Sequence, residues 1–99
     1  MKQILYKMNG QFIGVKYNDR FYSYDGVNIG VFKDNGELFN FEGVYIGELL
    51  DKTDRLLFKK SHSNHRGPLV AKSINHLSMS IVNITRRTIP IGCKDVHFW

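Results

Sequence analysis

The sequence predicts an all-β protein made of antiparallel β-hairpin repeats, three clear copies and one eroded, followed by an extended basic C-terminal segment. Three observations carry that expectation. A glycine pair recurs as Gly10 and Gly14, Gly26 and Gly30, Gly43 and Gly47, at offsets of 16 and then 17 residues. An aromatic residue, Tyr6, Tyr22 or Phe39, stands four positions before the first glycine of each pair, and Ile13, Ile29 or Ile46 stands just before the second. Finally, each first glycine follows a polar residue, Asn9, Asp25 or Glu42, as tight hairpin turns require where φ becomes positive.

Taken in chain order, each copy reads as two strands joined at its first glycine. A two-residue turn at 25 and 26 puts Tyr24 opposite Val27 and Tyr22 opposite Ile29, which gathers Tyr22, Tyr24, Val27, Ile29 and Val31 on one face. The same register collects Ile4, Tyr6, Met8, Ile13 and Val15 in the first copy, and Phe39, Phe41, Val44 and Ile46 in the third. On the opposite face, Gly14 falls across from Leu5, Gly30 from Phe21 and Gly47 from Leu38, so a large apolar side chain lies against bare backbone each time. "RLLF" announces a fourth copy, with Phe58 19 residues past Phe39 and Leu57 as the fourth converging side chain, but no glycines follow. Asn18-Asp19, Asp34-Asn35-Gly36 and the run from Asp51 to Asp54 are polar turns that join the copies into one meander.

These stretches, "YKMNGQFIG", "YSYDGVNIG" and "FNFEGVYIG" with "FKKSHSNHR" as a weak fourth, resemble the four-fold β-flower proteins, small chains in which such a phrase recurs about four times. The resemblance covers residues 4 to about 60. It implies hairpin petals around a pseudo-four-fold axis and implies no activity. His62 stands where the fourth copy would carry its first glycine.

Residues 61–99 form the second regime of what reads as one domain, with residues 1–60 as the hairpin-repeat region. Gly67-Pro68 ends any preceding strand. Leu69, Ile74, Leu77 and Ile81 approximate a helical stripe, but the surrounding Ser, Asn, Ile and Val predict extended structure packed on the repeat sheet, with a short helix at 70–78 as the competing arrangement. Pro90 is expected at an edge or irregular position.

Charge follows the same division. Residues 1–58 hold seven Lys/Arg against eight Asp/Glu, a net of −1, and residues 59–99 hold seven Lys/Arg against Asp95 alone, a net of +6, which together give the chain its +5. Lys59, Lys60, Arg66, Lys72, Arg86 and Arg87 therefore stand as candidates for nucleic-acid binding. The 99-residue chain has one cysteine, 42% apolar residues and no apolar run long enough for a membrane span, all of which predicts a soluble cytoplasmic domain without membrane association. The apolar run near the N-terminus, Ile4 to Tyr6, is too short for a signal peptide.

Candidate chemistry is sparse. His62 and His65 with Cys93 and His97 have ligand types and spacing suited to tetrahedral zinc, although the two pairs lie in segments far apart in sequence. Cys93 has only His97 near it as a partner for nucleophilic chemistry. Asp25 and Glu42 read as turn residues and Asp34, Asp51 and Asp54 as loop residues rather than acid/base pairs, and the glycine pairs do not lead into a helix N-terminus that would cradle phosphate. The expectation is a protein without a cofactor that is no enzyme: an interaction or structural module, or alternatively a nucleic-acid-binding one. Phe98 and Trp99 are its candidate anchors, either inside the protomer or against an unidentified protein or a second copy.

Overall fold

The computed structural model describes residues 2–78 and 82–98. Its strands are β1 (Lys2–Lys7), β2 (Phe12–Tyr17), β3 (Arg20–Ser23), β4 (Asn28–Phe32), β5 (Glu37–Phe39), β6 (Tyr45–Leu49), β7 (Arg55–Lys59) and β8 (Cys93–Asp95). Neighbours in sequence pair antiparallel from β1 through β7, and β1 closes the ring by pairing parallel with β7 through Tyr6 with Arg55 and Lys7 with Leu56. The result is a closed seven-strand mixed barrel. β8 joins the same edge of β7 where β1 leaves off, pairing Leu57 with Asp95, Phe58 with Lys94 and Lys59 with Cys93.

The inward register agrees with the sequence: Leu5 pairs with Gly14, Phe21 with Gly30 and Leu38 with Gly47. The turns that produce it do not. Each hairpin turns through three residues, with Lys7 N–H bonded to Gln11 carbonyl, Ser23 N–H to Val27 and Asn40 N–H to Val44 at 2.8–3.0 Å. This is a tight turn followed by a glycine of positive φ, as at Gly26 (φ +85°). The longer turn displaces the pairing by one residue, so Tyr6 meets Phe12, Tyr22 meets Asn28 and Phe39 meets Tyr45. A β-bulge in each hairpin, spanning Ile13, Ile29 or Ile46, then absorbs the extra residue and restores the leucine–glycine pairing.

The face assignment is corrected accordingly. Tyr22 and Ile29 are not cross-strand partners. Ile13 belongs to the core with Leu5, Phe21, Phe32, Leu38, Leu56 and Val96, and Ile29 and Ile46 pack against that core. The bulge turns each isoleucine to the side of its glycine, away from the aromatic residue. On the other face Tyr6 meets Phe12 and Phe39 meets Tyr45 edge-on, with ring centroids 6.2 and 6.1 Å apart. Ile4, Tyr24 and Val44, expected in the apolar row, are exposed.

The glycines on the inner face are filled from the next hairpin. A Cβ on Gly14 would strike the Tyr22 carbonyl oxygen and stand 3.1 Å from the Phe21 ring, and one on Gly30 would stand 2.7 Å from the Phe39 carbonyl oxygen and 3.2 Å from Leu38 Cδ1. At Gly47 the occupant is Val96 Cγ1, at 2.8 Å. The fourth converging side chain is Leu56, not Leu57, because β7 pairs Leu56 with Leu49, which packs against the core, and Leu57 with Glu48. Among the described residues no fourth hairpin forms. A short 3-10 helix, Lys60–His62, follows β7, and β8 from the far end of the chain supplies the missing strand.

Between the 3-10 helix and β8 the described residues contain no helix, so the short helix at 70–78 does not form; residues 79–81, including Ile81 of the helical stripe, lie outside the described residues. This segment is a strap that visits the hairpin tips in reverse order. Gly67 N–H donates to the Gly43 carbonyl at 2.9 Å, Leu77 N–H to Gly26 at 3.1 Å and Ile84 N–H to Gly10 at 2.8 Å. Single antiparallel bridges, Val44 with Arg66 and Val27 with His76, flank the first two clamps. A Cβ on Gly26 would strike the Leu77 carbonyl oxygen, so this glycine serves both the turn and the strap.

A Gly26→Ala substitution is therefore expected to lower the unfolding free energy by about 2–3 kcal/mol, combining backbone strain with loss of the strap contact. Gly92→Ala is the comparison, since Gly92 has a similar φ of +83° but open space around its Cβ position. It should cost only about 1 kcal/mol. Urea titrations of the two variants measure the difference, and equal costs would mean the strap contributes nothing at this tip.

Candidate functional site

Two polar assemblies join the strap to the barrel. The first is built on Asn28, which is fully buried at the start of β4. Its Nδ2 donates to the carbonyls of Phe21 (3.0 Å) and Gly30 (2.9 Å), and its Oδ1 accepts from Arg20 Nη1 (3.0 Å) and Ser73 N–H (2.9 Å). Arg20 also donates to the Ala71 carbonyl at 2.8 Å. Buried Arg55 performs the same task at the other end, donating to the carbonyls of Met8 (3.2 Å) and Thr85 (2.5 Å). Asn83 Oδ1 accepts from Phe12 N–H, and the Asp95 carboxylate accepts from the N–H groups of Met8 and Asn9. Buried side chains with fixed partners are thus what holds a segment that makes almost no ladder of its own.

The second assembly lies where the strap begins. Glu37 on β5 and Glu48 on β6 are direct cross-strand partners, one residue beyond the Leu38–Gly47 pair. Two carboxylates so placed repel unless something positive lies between them. His62 and His65 lie against both carboxylates. Their rings stack with centroids 4.4 Å apart and planes 20° apart. His65 Nδ1 reaches Glu37 Oε2 at 2.5 Å, while His62 Nδ1 reaches Glu48 Oε1 at 2.6 Å and Glu37 Oε2 at 3.4 Å.

Asn35 and Tyr45 complete the cluster. Asn35 Nδ2 donates to Glu37 Oε1 at 3.0 Å. The Tyr45 hydroxyl donates to Glu48 Oε1 at 2.7 Å and accepts from Lys59 N–H at 3.0 Å, and its ring walls both imidazoles edge-on. Burial pushes the Glu37 carboxyl up, but hydrogen bonds from His65 and Asn35, with the nearby charge of both histidines, outweigh it and hold it below the ordinary glutamate value. Burial, reinforced by the hydrogen bond to Glu48, pushes the Tyr45 phenol well above its ordinary value, so it remains a neutral donor.

The sequence-derived metal candidates are thus divided. His62 and His65 come together, but on Glu37 and Glu48. Cys93 is half-buried in β8 opposite Lys59, and His97 is exposed just past that strand. Among the described residues the group able to hold a metal ion is Glu37, His62 and His65, whose ligand atoms all lie within 4.8 Å of one another. Glu37 and Glu48 lie in strands and are not among the carboxylates that the sequence pattern places in turns and loops. The signal was available, since the register that pairs Leu38 with Gly47 also pairs Glu37 with Glu48.

Lys59, Lys60, Arg66, Lys72, Arg86 and Arg87 are all exposed. They do not line one groove. Arg66 bridges to Val44 at the third hairpin, Lys72 stands between the Arg20 and Asn28 contacts at the second, and Arg87 N–H donates to Met8 at the first. Phe98 packs against the core, 5.4 Å from the Phe21 ring, whereas Trp99 lies outside the described residues. An open groove of about 820 Å³ is lined by Glu48, Leu49, Lys59, Ile91 and Cys93 among others, so it abuts the histidine–glutamate cluster through Glu48.

Comparison with protein-family models, with curated proteins and with solved structures finds no match for this chain. Fold and site define it as a small closed β-barrel girdled by its own C-terminal strap. None of its described helices is long and apolar enough to cross a membrane.

Asn28→Ala is expected to cost about 2–4 kcal/mol, because it strands two buried carbonyls and the Arg20 guanidinium. It should also free the strap near Ala71 and Ser73, so limited trypsin digestion under native conditions should cut at exposed Lys72 many times faster than in the parent. Unchanged cleavage there would show that Asn28 does not anchor the strap.

Proposed function

We propose that the protein is a non-enzymatic binding module that presents its strap to an acidic protein surface bearing apolar anchors. One observation carries this reading: the strap is clamped at each hairpin tip yet turns large apolar side chains to solvent. Ile74 is 91% exposed, Leu69 78% and Val82 61%. Apolar side chains on a held segment rimmed by charge mark an interface rather than stray surface residues. The rim supplies the chemistry of the partner, since Arg66, Lys72, Arg86 and Arg87 alternate with those side chains and the segment from residue 59 onward carries +6. A second copy docked strap to strap would set like charges against each other.

Within this reading the barrel is the scaffold. The pseudo-four-fold, flower-like arrangement is supported by equivalent leucine–glycine or phenylalanine–glycine pairs in three hairpins and by Leu56 at the fourth position. A reducing, cytoplasmic setting accords with a single unpaired thiol at Cys93.

Peptides displayed on phage and selected on the immobilised protein test the proposal. The expected result is enrichment of sequences in which Asp or Glu flank large apolar residues, with binding lost by at least tenfold on a Leu69→Asp, Ile74→Asp variant. Two outcomes overturn it: no such enrichment, or tight binding of a DNA duplex at physiological salt that the double variant leaves unchanged, which would make nucleic acid the ligand. Sedimentation showing a dimer that the same variant dissolves would make the occupant a second copy.

A further inference from the structure

We infer that Glu37, Glu48, His62 and His65 form a binding site for one divalent transition-metal ion of the zinc class. The four side chains supply two carboxylate oxygens and two imidazole nitrogens, the donor types such ions take, and two negative charges that match the ion. Around an ion with bonds of about 2.0–2.1 Å, tetrahedral ligands stand about 3.3 Å from one another. His62 Nδ1 and Glu37 Oε2 already stand 3.4 Å apart. The two tighter contacts, 2.5 and 2.6 Å, need open by about 0.7–0.8 Å, and the Glu48 carboxylate, which stands outside the group of three whose ligand atoms lie within 4.8 Å of one another, must turn inward to become the fourth ligand.

Outer partners are in place as well. Asn35 fixes the second oxygen of Glu37, and the Tyr45 hydroxyl, itself held by Lys59 N–H, fixes Glu48. The facing carboxylates give an independent reason for a cation here. Glu37 is buried directly across the strand pair from Glu48, an arrangement that costs stability unless a positive charge bridges it. This ligand set differs from the one the sequence suggested, because Cys93 and His97 take no part. Since the histidines lie in the turn that launches the strap, the ion would tie the strap's root to β5 and β6.

Titration of the chelator-stripped full chain with cobalt(II), and then with zinc, tests the site. One ion per chain is expected, with the intense visible absorption of four-coordinate cobalt, displacement by zinc, and a zinc-induced rise in melting temperature that a chelator reverses. His65→Ala and Glu48→Gln should each weaken binding by more than about 100-fold, whereas Cys93→Ser and His97→Ala should leave it unchanged. Circular dichroism of each variant in chelator establishes that it is folded, and the unmodified chain together with Cys93→Ser decides between the two ligand sets even if His65→Ala unfolds. The inference is overturned by an absence of stoichiometric binding. It is equally overturned by the faint spectrum of six-coordinate cobalt shared by all variants, or by a thiolate-to-cobalt band that disappears in Cys93→Ser.

Discussion

The fold depends on bare backbone at the second glycine of each hairpin, into which the next hairpin drives its largest inward side chain. Phe21 sits on Gly14, Leu38 on Gly30 and Val96 on Gly47. A barrel this narrow has no room at its centre for two rows of branched side chains, so one row must be absent for the other to close. The ring is interlocked in consequence. Each hairpin completes the packing of its predecessor, and the last is completed by a residue from the far end of the chain.

Much of this was legible in the sequence, and the part that was not has a specific physical cause. The recurrence of glycine opposite Leu5, Phe21 and Leu38 was correct because a residue spacing survives two compensating changes in the backbone. The turns are one residue longer than two-residue hairpins, and a bulge spanning Ile13, Ile29 or Ile46 takes up the surplus. Side-chain alternation alone does not distinguish these solutions, since Phe12, Ile13 and Val15 are apolar on either path. Only the pairing of Tyr6 with Phe12 and of Phe39 with Tyr45 fixes which face the isoleucines take. Leu57 in place of Leu56 is an error of the same kind, a register of β7 against β6 that side-chain pattern does not reveal.

The histidine–glutamate cluster was half legible. Spacing singled out His62 and His65, and the predicted register already implied that Glu37 faces Glu48. What joins the two halves is the turn after β7, which returns the chain over the β5–β6 pair, and no local pattern encodes that return. The same holds for the strap. Its clamps join residues 24 to 74 positions apart in sequence, using backbone groups that every residue possesses.

The strap also explains why the barrel alone is an incomplete account of the chain. Ordering a backbone costs roughly 1–2 kcal/mol per residue, and a segment of about thirty residues with few ladder bonds recovers little of that through its own structure. Its order is borrowed from the barrel through Asn28, Arg20, Arg55 and the tip glycines, each a point contact rather than a continuous sheet. Such a segment occupies the low end of the stability range within a domain, where binding surfaces are drawn from. Burying Leu69 or Ile74 against the barrel would have stabilised the strap at no cost in chain length, yet both face solvent. Their outward orientation follows from clamps that fix the backbone from within.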